Sequence, residues 1–308
     1  MGKQERLPQS FNSISELHKA LGLPKPLHPL VSLVNYADIK LPDEEIPKLL
    51  LLNFYKVSFK FNFTGKIRYG QGYYDFNEGG LCFYSPNQII ASAEEDNDYS
   101  GYTLLIHPDF IRNYSISTRI KTFGFFSYAA NEGLFVSDKE RQTLLSVFGN
   151  IQEELNTSID EFSQDVMVSH IEVLLNYSNR FYRRQFITRK AVNHHLLAQM
   201  EQILNDYFDK HESLQNGLPT VEYLAGGLNV SPRYLSDMLR SLTGQNAQHH
   251  IHEKLIEKAK EYLASTQLSV SEIAYQLGFE HSQSFNKLFK KKTNLTPIEY
   301  KQSFNIKE

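Results

Sequence analysis

The chain has 308 residues, 41% hydrophobic and 22% charged, with a formal net charge of −3. It is long for one core and comfortable for two domains of ordinary globular composition. Its notable apolar run, Leu49–Leu52, falls far short of the roughly 18 residues a membrane span needs, Met1–Arg6 lacks the apolar core of a secretory signal, and the single cysteine, Cys82, closes no intrachain disulfide, so no membrane partner is expected and the cytoplasm is the expected compartment.

Residues from about 30 to 136 read as β-rich. Val57, Phe59, Phe61 and Phe63 recur with the period of two of a strand with one buried face. Thr64-Gly65, Gly70-Gln71-Gly72 and Asn77–Gly80 supply turn chemistry, and Gly80–Tyr84 and Tyr102–Ile106 are further strand candidates. Short strands between Gly and Asn turns point to a barrel or a sandwich. The period then changes. Ser137 and Glu140 form a capping box, and Leu144, Leu145, Phe148 and Ile151 follow at helical spacing. A second helix is predicted from near Ser158, with Ile159, Phe162, Val166, Val173 and Tyr177 as apolar positions, so that helices occupy 137–184. The expected domains are 1–186 and 190–308, the second helical almost throughout.

That second domain holds an internal repeat. Val221–Arg240 matches Val270–Lys290 at an offset of 49 residues up to a turn and 50 after it. Ala225 and Ala274 fall at equivalent places, where a small side chain lets a second helix approach the first. Asn229 and Gly278 take the turn, and these two residue types accept a left-handed conformation most readily. Leu224 and Leu228 in one copy, and Ile273 and Leu277 in the other, form an inward stripe. Leu235, Met238 and Leu239 answer to Phe285, Leu288 and Phe289, and Ser231-Pro232 starts a helix in the order N-cap then Pro. Between the copies, Ile251, Leu255, Ala259 and Leu263 mark one long helix suited to holding two heads at fixed separation.

Ser269–Phe279, Ser284-Phe285, Phe289-Lys290-Lys291 and Thr296-Pro297 with Tyr300 resemble, in order and spacing, the C-terminal domain of the AraC-type (AraC/XylS) regulators. The resemblance covers residues from about 200 to 303. It implies an α+β chain: an N-terminal cupin-like β-barrel with flanking helices, then an all-α domain with two helix-turn-helix units at about 219–243 and 269–292. It also implies a sequence-specific transcription regulator that is not an enzyme and needs no cofactor. Its partners would be double-stranded DNA and RNA polymerase. Three departures stand out. Asn294 takes a place where the family usually has Gly, Ser284 replaces the usual Tyr, and Gly226-Gly227 weakens the first head's helix by up to about 1 kcal/mol per Gly.

From Arg189 onward there are 14 Lys+Arg against 13 Asp+Glu, so a local patch must hold the phosphates; Lys287, Lys290, Lys291 and Lys292 supply one. The N-terminal part of the second helix of such a unit enters the major groove. In the first head that exposes Ser231, Arg233, Tyr234, Ser236 and Arg240, with Asp237 placed to orient an arginine. In the second it exposes His281, Ser282, Gln283, Asn286, Lys287, Lys290 and Lys291. Gln283 and Asn286 can bond bidentately to adenine, and Arg233 to guanine. A solvated helix face would carry the same polar residues without any ligand.

The family's N-terminal domain senses a small molecule or mediates dimerisation. Here Phe61, Tyr69, Tyr74 and Phe83 are candidates to line an effector pocket, against the plainer reading that alternate aromatics fill a core. A cupin-type metal-dependent enzyme is the rival reading. It needs clustered His with a carboxylate, and in the β-rich stretch His107 stands alone. His249 and His252 have metal-ligand spacing on a predicted helix, but no metal site is expected there. The segment 158–184 is expected to join two copies into a homodimer, against the competing reading that its stripe lies on its own domain.

Overall fold

The computed structural model describes residues 8–40, 49–61, 67–69, 72–74, 79–91 and 100–305, and the chain divides into two units, Met1–Thr188 and Arg189–Glu308. The strands of the first are β1 (Gln9–Phe11), β2 (Val31–Asn35), β3 (Leu49–Leu52), β4 (Tyr55–Lys60), β5 (Ile67–Tyr69), β6 (Gly72–Tyr74), β7 (Gly80–Tyr84), β8 (Gln88–Ala91), β9 (Gly101–Ile106) and β10 (Leu134–Phe135). Its helices are α1 (Ile14–Ala20), α2 (Pro108–Ile111), α3 (Ile116–Arg119), α4 (Asp138–Asn156) and α5 (Ser163–Thr188).

Alternation along β4 gives the main sheet two unlike faces. Tyr55, Val57 and Phe59 point one way and are buried: Phe59 stacks on Phe148 of α4 with centroids 5.7 Å apart, and Tyr55 meets Phe126 edge-on at 5.3 Å. Lys56, Ser58 and Lys60 take the other side. There Tyr36 donates to Ser58 Oγ at 2.9 Å, and the Lys56 ammonium lies 5.8 Å from the Tyr84 ring. Burial, with Lys60 nearby, brings Lys56 down to about 8.

This main sheet is antiparallel, in the order β10-β7-β4-β9-β2. A second sheet, β1-β3-β8, is mixed because β1 runs parallel to β3. It buries Leu50, Leu52 and Ile90, with Ile14 and Leu17 of α1, in one cluster with Val34 of β2 and Leu105 of β9. The expected barrel is therefore corrected: among the described residues the sheets pack but no ladder closes them into a ring. The reason lies in β3, whose two edges are taken by β1 and β8. The expected turn at Thr64-Gly65, with Phe63, lies outside the described residues. β1 and α1 precede the region read as β-rich.

Ser137 and Glu140 close the capping box of α4 as their spacing predicts. Glu140 also accepts from Arg184 Nε of α5 at 3.0 Å. The two-residue strand β10 is held by that helix: Gln185 accepts from the Phe135 N–H at 2.8 Å, and Arg184 donates to the Phe135 carbonyl at 2.7 Å. α5 begins at Ser163, not near Ser158, because Asp160 Oδ1 takes the N–H groups of Phe162 and Ser163 and ends the preceding turn. Its buried face is Met167, Val168, Ile171, Leu174, Leu175, Phe181 and Tyr182. Ile159, Phe162, Val166 and Val173 of the expected stripe stand exposed.

The second unit is all helix: α6 (Lys190–Asp209), α7 (Ser213–Asn216), α8 (Val221–Leu228), α9 (Pro232–Thr243), α10 (Ala247–Ser265), α11 (Val270–Gln276), α12 (Ser282–Thr293) and α13 (Pro297–Asn305). Its core gathers Leu204 and Tyr207 of α6 with Leu235 and Met238 of α9, and Ile251, Leu255, Ala259 and Leu263 are buried along α10. No helix among the described residues is long and apolar enough to cross a membrane.

Truncating Phe148 removes the ring between Phe59 and Tyr102. Phe148→Ala should cost about 3–5 kcal/mol, read as a lowered urea midpoint in tyrosine fluorescence.

Candidate nucleic-acid interface

The repeat is a repeat of hydrogen bonds. Thr220 Oγ1 caps α8 by accepting from the Tyr223 N–H at 3.1 Å, and Ser269 caps α11 in a reciprocal box with Glu272. At the turn, Asn229 lies at φ +55° and Gly278 at φ +92°. The next N–H in each copy reaches back five residues: Val230 to the Ala225 carbonyl and Phe279 to the Ala274 carbonyl, both at 3.0 Å. Ala225 and Ala274 are buried, as their spacing predicts.

Gly278 has a second reason to lack a side chain. A Cβ there would sit 2.5 Å from the carbonyl of Gly217, in the segment after α7. Ser213 Oγ donates to the Gln276 carbonyl at 2.6 Å beside it.

The correspondence runs further than the sequence comparison carries it. α9 ends at Gly244 (φ +78°) and α12 at Asn294 (φ +63°), with N–H groups on the Arg240 and Lys290 carbonyls. Asn294 thus does the work of glycine. Thr243 and Thr293 each donate to the carbonyl four residues back at 2.9 Å. Asn246 then caps α10 by accepting from the His249 N–H, and Thr296 caps with Glu299 ahead of α13. The repeated unit is therefore three helices, α8-α9-α10 and α11-α12-α13.

On α9 the outward face carries Arg233, Ser236, Asp237 and Arg240. Asp237 accepts from Arg233 Nε at 3.0 Å and from Arg240 Nη1 at 2.9 Å, so one carboxylate holds both guanidinium groups. Ser231 is the N-cap, its hydroxyl accepting from the Tyr234 N–H at 3.2 Å. Tyr234 is a correction. Its side chain is fully buried, because the helix turns this position inward beside Leu235, and it presents nothing to a groove.

On α12, His281, Gln283, Asn286, Lys287, Lys290 and Lys291 are exposed and Ser282 is half-buried. Lys292 turns away to meet His249 Nε2 of α10 at 3.0 Å. His249 also lies 3.1 Å from Glu253, and His252 bonds Gln248 at 3.0 Å. Burial, then Lys292, His249 and Lys291, hold the His252 imidazole below its ordinary range.

Of the four aromatic candidates of the first unit, Phe61 and Phe83 have described side chains, and they pack in different places. Phe83 is buried against Phe125, Phe126 and Tyr182, with the Phe125 centroid at 4.4 Å. That is core packing, a correction to its expected place in a pocket. Phe61 is half-buried between Phe59 and Tyr102 under the Arg141 guanidinium, 4.8 Å from the ring. Tyr69 and Tyr74 lie on the β5–β6 hairpin, their side chains outside the described residues.

A family profile described as a helix-turn-helix domain matches residues 224–303. An uncharacterized HTH-type transcriptional regulator of Pseudoalteromonas carrageenovora is 36% identical over 85 residues, which are 28% of this chain and 50% of that protein. The HTH-type transcriptional activator RhaR of an Enterobacter species is 31% identical over 110 residues, 32% of this chain and 38% of that one. The chain thus spans half or less of the length of these curated relatives. Among solved structures, the C-terminal domain of the two-component response regulator yesN from Fusobacterium nucleatum is 34% identical, covering 33% of this chain and 96% of that one at a TM-score of 0.29.

Gly278→Ala should destabilise the second head by more than about 2 kcal/mol, through positive-φ strain and the contact with Gly217. Asn294→Gly should leave the urea midpoint nearly unchanged. Two heads on one doubled pattern of caps and turns, and a helix-turn-helix model matching residues 224–303, make the C-terminal unit a helix-turn-helix domain of AraC type.

Proposed function

We propose that the chain is a sequence-specific DNA-binding transcription regulator that sets α9 and α12 into successive major grooves, about 34–36 Å apart along the duplex. One observation carries this reading: both second helices of the repeat keep a polar outer face while their apolar residues are buried. Relatives named as transcriptional regulators support it. Arg233, Ser236 and Arg240, with Ser231 at the helix start, face the bases in one groove. His281, Ser282, Gln283 and Asn286 face them in the other. Lys287, Lys290 and Lys291 neutralise phosphates. RNA polymerase is the natural downstream partner, and the cytoplasm the place of action. The N-terminal unit, two packed sheets with helices, serves as a sensory and dimerising domain whose effector is a small molecule.

Gln283→Ala and Lys290→Ala separate base reading from phosphate grip. Loss of the Gln283 amide should cost about 1–3 kcal/mol at the preferred site and relax the preference. Loss of Lys290 should weaken specific and random DNA alike and lower the salt slope by about one unit. Binding titrations on both DNAs at several salt concentrations check this; equal losses for Gln283→Ala would remove it from the base-reading set.

The homodimer would form through the exposed side of α5, where Val166 and Val173 stand 38% and 40% exposed, one heptad apart. A second domain on the same particle raises local concentration without new base contacts. Val166→Glu should convert a dimer to a folded monomer in sedimentation across a concentration series. A wild-type chain monomeric at every loading overturns it.

A further inference from the structure

The first unit contains a cleft of about 340 Å³ away from the sheet aromatics. Such a volume falls within the roughly 300–1,000 Å³ range of small-molecule sites. Its apolar lining comes from Leu27, Val31, Phe110, Leu155, Ile159 and Met167. Its charged lining has one sign: Glu154, Asp160 and Glu161, and no Lys or Arg among the described residues.

Among the described residues, no basic group pairs with these three carboxylates. The side chains of Glu154 and Glu161 have no ion-pair or hydrogen-bond partner among the described residues. Asp160 is held below the ordinary carboxylate range, first by the Phe162 N–H and then by the Ser163 side chain, so it stays ionised. His28 Nδ1 accepts from the Leu30 N–H at 3.1 Å, and burial lowers its pKa, so the ring brings no positive charge at neutral pH. The backbone adds to the imbalance. Glu154 and Leu155 belong to the last turn of the 19-residue α4, where the helix dipole presents its negative end, and that turn has no basic residue. The positive end of α5 is already covered by the Asp160 carboxylate at its start.

We propose that this cleft binds a small organic cation with an apolar body, of the alkyl- or arylammonium class. The ammonium sits among Glu154, Asp160 and Glu161 at the end of α4. The hydrocarbon part lies on Val31, Leu155 and Met167, with the Phe110 ring available to the cation. The inference stands apart from the DNA-binding reading, and its test uses no DNA.

Calorimetric titration of the full chain with phenethylammonium chloride, phenethyl alcohol and phenylacetate tests it. The ammonium should bind saturably, about tenfold or more tighter than the alcohol, and phenylacetate should not bind. The double variant Glu154→Gln, Glu161→Gln removes two carboxylates without partners, so it should keep the wild-type circular dichroism. It should lose about tenfold in affinity for the ammonium and leave the alcohol unchanged, a difference of about 1.4 kcal/mol. No saturable heat with the ammonium, an alcohol bound as tightly as the ammonium, or wild-type affinity in the double variant would each overturn the assignment.

Discussion

The N–H of Val230 reaches back to the Ala225 carbonyl and that of Phe279 to the Ala274 carbonyl, and each bond fixes how sharply one helix leaves another. It forms only if the preceding residue goes left-handed, which Asn229 and Gly278 do. The second helix can then lie against the first only where the facing side chain is small, hence Ala225 and Ala274. Each head depends on this five-residue closure. The outward direction of Arg233 and Gln283, and the burial of Leu235 and Phe285, follow from the angle it sets.

These local demands explain why the second unit was legible in its residues and the first only partly so. A turn needing positive φ admits few residue types, and doubling it at a constant offset leaves a signal that spacing alone can find. The equivalence of α10 and α13 escaped because Asn246 and Thr296 cap with different side chains and the two helices share little beyond position. Tyr234 was misplaced for a related reason. Its neighbours Arg233 and Ser236 are outward, yet one step along a helix rotates a side chain by about 100°, and this step carries it into the core.

In the first unit, alternation identified β4, β7 and β9 but could not say how sheets associate. Closure of a barrel depends on which strand edges pair at long range, and the parallel β1–β3 ladder involves a segment with no alternation to reveal it. The two apolar faces of α5 reflect a degeneracy of the helical period. Positions 166 and 173 share one face and 167, 171, 174 and 178 another, and both sets are apolar enough to be chosen. Arg184 and Gln185 decide the matter, since their bonds to Phe135 and Glu140 fix the rotation of α5 against β10. Such polar ties between distant elements leave no periodic trace.

Two helix ends show how differently this chain treats the same electrostatic problem. α12 finishes with Lys290, Lys291 and Lys292, cations at the negative end of a helix dipole, an arrangement favourable by itself. Lys292 is tied to His249, but Lys290 and Lys291 remain exposed, so phosphate contact would add to a helix already stabilised. α4 finishes with Glu153 and Glu154 and no basic residue in its last turn. There the local charge repels the dipole, and the helix is held by Leu144, Phe148 and Ile151 in the core. A helix end kept unfavourable by its own sequence, beside a concave apolar surface, is improved by a cation from outside the chain. An end already neutralised by lysines gains most from an anion. The protein's net charge of −3 says little about either helix end, because each local field is set within a single turn of helix, a distance shorter than the roughly 8–10 Å over which salt screens charge.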